Sequence, residues 1–210
     1  MKNKRKVQTI ILFFISILGL GTIIGILYFN DKTNTQKNKA FATEERLLQY
    51  EPIIKKELEK YNLGEKTAIL LGIMYHESRG EGNDPMQSSE SLGLKPNEIQ
   101  EINLSIKQGI KHFVQMYRYG EEKGVSMDTI IQSYNMGPGY IDFIANQEAK
   151  QHSEDTAKQF SKLKVDQNPA TYTCGGNKQN FRYPYCYGDF TYTTKVNEKA
   201  KLIEERLQKN

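Results

Sequence analysis

Lys66 to Arg79 read KTAILLGIMYHESR: ten residues apolar on nearly every side, then four polar ones. A helix that is hydrophobic all round belongs in a protein interior. The length of the run and its Ala, Leu and Met content favour helix over strand. The stretch therefore predicts a buried central helix whose polar end emerges at a surface. Glu77 sits at that emergence. A half-buried carboxyl has its anion disfavoured and its pKa raised, which is what a general acid working near neutrality needs. The plainer alternative is an exposed helix-end glutamate, although the helix dipole disfavours a carboxylate at that end.

Outward from this helix the pattern is mainly α-helical. On the N-terminal side, Thr43 can cap a helix before Glu44 and Glu45. Leu47, Leu48, Ile54, Leu58 and Tyr61 recur at helical spacing, with Pro52 breaking or restarting the run. On the C-terminal side, Arg79 to Pro96 is a long loop of Gly, Pro, Asn, Asp and Ser, a type often used for binding when ordered. Ile106, Ile110, Phe113, Val114 and Tyr117 mark an amphipathic helix. Ser126 can cap another from Met127 to about Asn135, ended by Gly137 and Pro138. Tyr140, Phe143 and Ile144 suggest a short helix, Ser153 caps one carrying Ala157 and Phe160, and Val196, Ala200, Ile203 and Leu207 close the chain. Thr171 to Thr194, rich in Tyr, Thr and Gly, is expected to form a loop or a small hairpin.

The N-terminus bears on the compartment. Thr9 to Phe29, TIILFFISILGLGTIIGILYF, carries no charge, and about 20 apolar residues span a bilayer core. Lys2, Lys4, Arg5 and Lys6 precede it, which predicts a cytoplasmic N-terminus and an exported remainder. A cleavable leader has a shorter apolar region, about 7–15 residues, and Ala40-Phe41-Ala42 lies well past this one. The expected organisation is a basic tail (1–8), a signal anchor (9–29), a polar tether (30–42) and one domain (43–210). The net charge of +4 equals the four basic residues ahead of the anchor. The exported part is thus formally neutral, with no basic stripe to follow a nucleic-acid backbone. Hydrophobic content of 38% and charged content of 26% fit a globular domain. Cys174 and Cys186, the only cysteines, most simply form one disulfide in an oxidising compartment, two free thiols being the alternative.

Three polar segments stand at the edges of apolar helices: His76-Glu77-Ser78-Arg79, Asp84 to Ser91 (DPMQSSES), and Ser133-Tyr134-Asn135-Met136-Gly137. The His-Glu pair does not make a zinc protease, because the second histidine of H-E-x-x-H would fall at Gly80. No metal or other cofactor is expected. Gln87, Ser88, Ser89 and Ser91 offer amides and hydroxyls suited to sugar hydroxyls and acetamides, or simply form a polar loop. Tyr134 and Asn135 before Gly137 could equally be a buried tyrosine and a helix-ending asparagine.

In combination and order, these segments resemble the lysozyme-like superfamily of goose-type lysozymes and soluble lytic transglycosylases. There a Glu-Ser pair at a helix end precedes Gly-Leu-Met-Gln and then Ala-Tyr-Asn-x-Gly. Glu77-Ser78 matches the first. Met86-Gln87 matches half of the second, with Asp84-Pro85 in place of Gly-Leu, and Tyr134 to Gly137 matches the third, with Ser133 in place of Ala. DPMQSSES, with YGDFTY from Tyr187 to Tyr192, is similar to the Gram-positive branch of CwlT-like muramidases. The resemblance runs from about Thr43 to Tyr192 and implies a mainly α lysozyme-like domain behind one transmembrane helix. No NlpC-type peptidase domain accompanies it, so only the glycan-cutting half of a bifunctional enzyme is expected.

The implied activity is cleavage of peptidoglycan glycan strands, serving a secretion or conjugation machine or growth. Glu77 would protonate the oxygen between N-acetylmuramic acid and N-acetylglucosamine, and Ser78 would help place it. Gln87, Ser88, Ser89 and Ser91 would hold the sugars, and Tyr134 with Asn135 would complete the cleft. Ordinary glycosidases use a second carboxylate, and Asp84 and Glu90 are the acids in the right loop. A lytic transglycosylase would need Glu77 alone, and the Gram-positive resemblance favours hydrolysis. A rival of another class is a non-catalytic wall-binding scaffold, against which the retained Glu77 speaks.

Overall fold

A computed structural model describes residues 28–209. The chain divides into two compact units, Met1–Glu45 and Arg46–Asn210. Most of the expected anchor, residues 9–27, lies outside the described residues. Among those described, no helix is long and apolar enough to cross a membrane. Residues 28–48 are helical (α1), which departs from the expected start at Thr43: that residue lies inside a helix and caps nothing. The polar stretch 30–42 is helical too, in keeping with its Lys, Gln and Ala residues, all good helix formers.

The second unit is a mainly α-helical domain. After a turn, α2 (Glu51–Glu59) restarts with Pro52 in its first turn, where a missing N–H costs nothing. The central helix α3 (Thr67–Ser78) buries Leu70, Leu71, Gly72, Ile73 and Met74. It packs chiefly against α8 (Tyr192–Leu207), which buries Val196, Ala200 and Ile203. Gly72 permits the close approach: a Cβ there would lie 2.8 Å from the Val196 carbonyl oxygen.

Around this pair, α4 (Ile102–Lys123) contributes Ile106, Ile110, Phe113 and Val114 to the core. Ser126 caps α5 (Met127–Met136) by accepting from the Thr129 N–H. A short α6 (Pro138–Ala145) buries Tyr140, whose hydroxyl meets His152 Nδ1 at 2.8 Å. Helix α7 (Glu154–Gln167) opens with a capping box between Ser153 and Thr156. Between α7 and α8 the chain is irregular. No strand forms there, so the expectation resolves to a loop rather than a hairpin, and α8 begins at Tyr192 rather than near Val196. Cys174 and Cys186 are bonded across that loop.

Candidate active site

Glu77 occupies the last turn of α3, which ends as Arg79 enters the left-handed region at φ 60°. Tyr192, at the start of α8, donates its hydroxyl to Glu77 Oε1 at 2.5 Å. Burial pushes the Glu77 carboxyl up to about 7; the Asp84 charge adds to the rise and the Tyr192 hydrogen bond opposes it. A carboxyl in that state keeps its proton up to neutrality. Burial and the charge of Glu77 push the Tyr192 and Tyr134 hydroxyls well above 10, so both stay protonated.

The Ser78 hydroxyl donates to the Pro85 carbonyl at 2.7 Å and accepts from the Gly80 N–H. It thereby hooks the end of α3 onto the 84–91 loop. Asp84 is the nucleus of that loop. Buried, it accepts five hydrogen bonds, from the N–H and hydroxyl of both Ser88 and Ser89 and from the Ser105 hydroxyl. Burial alone would raise its pKa, but these donors outweigh it and hold the carboxyl below the usual range.

The hydroxyls of Ser88 and Ser89, expected to hold sugars, are engaged inside the loop, although Ser88 also lines the cleft beside Glu77. Both are buried and turn their hydroxyls to Asp84; Ser88 also donates to the Ser105 carbonyl. Asp84, with its oxygens so engaged, does not line the cleft that Glu90 lines. Gln87, at φ 46°, donates from Nε2 to the Asp84 carbonyl and to Asn97 Oδ1. Ser91 is exposed and accepts from Gln108 at 3.0 Å.

From the other side, Tyr134 donates to the Met86 carbonyl at 3.0 Å and sets its ring edge-on to His112. Asn135 Oδ1 accepts from the Asp189 N–H at 2.6 Å, and Tyr187 donates to the Met136 carbonyl at 2.8 Å. Tyr187 to Tyr192 is thus fastened to α5 and delivers Tyr192 to Glu77. Sequence reasoning named the YGDFTY run but gave its members no role. The signal is a Tyr-Gly-Asp pattern ahead of an amphipathic helix; the partner, Glu77, lies 115 residues away in sequence.

Two clefts meet at Glu77. One, of about 440 Å³, is lined by Gln87, Ser88, Glu90, Ser91, His112, Tyr134, Asn135 and Gly137. The other, of about 540 Å³, is lined by Tyr75, His76, Ser78, Arg79, Glu81 and Lys195. Space on two sides of one acid suits an extended chain that reaches it from either side. Among the described residues, no group of three or more His, Cys, Asp and Glu is arranged to hold a metal ion.

Comparison with known proteins places the chain in a family. The chain is 52% identical over 216 residues to "Uncharacterized membrane protein YocA" of Bacillus subtilis, covering 99% of this chain and 94% of that protein. It is 36% identical to Pneumococcal vaccine antigen A of Streptococcus pneumoniae over 57% of this chain and 58% of that one. It is 32% identical to the "Bifunctional muramidase/DL-endopeptidase CwlT" of Bacillus subtilis, over 56% of this chain but only 34% of CwlT. A crystal structure from Staphylococcus aureus, described as similar to lipoprotein of the NLP/P60 family, superposes with a TM-score of 0.63 at 34% identity. That match covers 74% of this chain and 52% of the other. The family described as Lysozyme-like matches residues 44–200, and with the α3–α8 core and the helix-end glutamate in place, this chain belongs to it.

Proposed function

We propose that the protein cleaves the β-1,4 bond between N-acetylmuramic acid and N-acetylglucosamine in peptidoglycan, with Glu77 as the general acid. The observation that carries this reading is the Glu77 carboxyl, kept protonated to about 7 where two clefts meet. A glycosidic oxygen above it would receive the proton as its bond to the muramic anomeric carbon breaks; water takes its place at that carbon and gives up a proton that restores the acid. Ser78 positions the helix end through Pro85. Gln87, Ser88, Ser91, Tyr134 and Asn135 line the sugar-binding side, while Ser89 shapes it from within. The Lysozyme-like family and the word muramidase in the name of CwlT support the choice of substrate.

Residues 9–29 anchor the chain in the membrane with the N-terminus in the cytoplasm and the domain facing the wall. The name of YocA, a membrane protein, supports that placement. Incubating the full chain in detergent with purified peptidoglycan, beside Glu77→Gln, tests the proposal by mass spectrometry of released fragments. Reducing muramic ends from the native protein alone are expected. Anhydro-muramic ends would make it a lytic transglycosylase, and no fragments from several walls would leave the wall-binding scaffold in its place.

A further inference from the structure

The two clefts differ in charge. The Gln87 side is lined by amides, hydroxyls and His112, with Glu90 as its acid besides Glu77. On the other side, Arg79 and Lys195 line the cleft, and Lys199 lies 4.3 Å from the ring centroid of Tyr75, itself a lining residue. The acids on that side other than Glu77 are already paired. Glu81 is bound by Arg46 at 2.5 Å, and Asp189, just outside the lining, holds Lys195 at 2.7 Å. Arg79 and Lys199 have no carboxylate partner among the described residues.

We propose that the Arg79 side of the cleft binds the free carboxylates of the peptide stems borne by muramic acid, so that acidic stems favour cleavage. This rests on the glycan-cleaving function proposed above. Arg79 lines the same cleft as Glu77, so an anion bound there sits in reach of the strand being cleaved. A substituent of the cleaved strand itself meets that requirement, and muramic acid carries its peptide through the lactyl group. Guanidinium suits a carboxylate, presenting a fork of N–H donors to both oxygens. Lys199 adds a second positive charge along the same edge.

The test compares three wall preparations: native, stripped of phosphate polymers with hydrofluoric acid, and stripped and then amidated with carbodiimide so that stem carboxylates become neutral. The full chain in detergent is assayed for kcat/KM, and Glu77→Gln for wall binding. Native protein is expected to keep its rate on stripped wall and to lose roughly tenfold on amidated wall, since an exposed ion pair contributes about two- to fivefold and two are lost. Arg79→Gln and Lys199→Gln should each lose about two- to fivefold on stripped wall. The double variant should cleave stripped and amidated walls alike, and Arg79→Lys should recover part of the preference. Equal rates on stripped and amidated walls, or an undiminished preference in the double variant, overturns the proposal. Loss at the stripping step alone assigns the cations to phosphate polymer instead. If no wall is cleaved, the glycan-cleaving function fails by itself, and the binding of Glu77→Gln still decides: weaker on amidated wall supports the carboxylate subsite, unchanged overturns it.

Discussion

The two walls that hold Glu77 are built in opposite ways and push its proton affinity in opposite directions. The 79–96 loop is organised from inside by one buried anion, Asp84, whose charge raises the Glu77 pKa. The segment from residue 168 to 191 is organised by a disulfide and by hydrogen bonds to α5, and it leads into Tyr192, whose hydroxyl lowers the Glu77 pKa. The first wall depends on a charge. The second depends on backbone geometry and cross-links. With Asp84 and its five hydrogen bonds, the chain has an internal staple in its 84–91 loop.

The largest effect should come from that staple. Asp84→Asn keeps the shape but turns an NH₂ group toward donors, leaving buried hydroxyls and N–H groups unpaired. We expect a loss of about 3 kcal/mol in urea unfolding near neutral pH. The Asp84 pKa is depressed in the folded state, so its contribution is present above the unfolded value and is lost as pH falls through the folded one. The gap between native and variant should therefore narrow in acid. A gap independent of pH would mean that the carboxylate acts through shape and not through charge.

The second wall should break at Gly188. With φ at 63°, its position disfavours any side chain, and a Cβ would lie 2.7 Å from Met136 Cγ and 2.8 Å from Asn135 Oδ1. Gly188→Ala should cost about 2 kcal/mol and lower activity by displacing Asn135 and Tyr192. A comparable or smaller effect is expected from opening the cross-link. Cys174 and Cys186 are 12 residues apart, and removing a bridge over so short a loop costs at most about 3 kcal/mol by chain entropy, usually less. The Cys174→Ser, Cys186→Ser double variant should lose activity before it loses far-ultraviolet helicity.

The contrast also explains what could be read in the sequence. The α3 helix, its Glu77 terminus, the caps at Ser126 and Ser153 and the restart at Pro52 follow from local pattern, because apolar periodicity and capping are short-range physics. The inward turn of Ser88 and Ser89 was not legible, since a polar loop looks the same whether its hydroxyls face water or a buried aspartate. Ser105, which completes the Asp84 cradle, lies inside an amphipathic helix and carries no signal of its own. The link from Tyr192 to Glu77 joins the two ends of the domain, and a tertiary contact of that span leaves no trace in spacing.

The smallest change asks most directly whether the two walls act on the acid as described. Tyr192→Phe removes one hydroxyl from a buried site and should cost only about 1 kcal/mol. Its informative readout is the pH profile of wall cleavage. As the proposed general acid, Glu77 must be protonated to act, so activity is expected to fall as pH rises through its pKa of about 7. The Tyr192 hydroxyl stabilises the anion; without it the pKa rises and the alkaline limb moves to higher pH. Asp84→Asn removes a negative charge, lowers the Glu77 pKa and moves the same limb down. Limbs that shift in opposite directions would establish the two walls as opposing controls on one proton. A shift of both in the same direction would mean that the variants act by loosening the cleft, and the electrostatic contrast would fall.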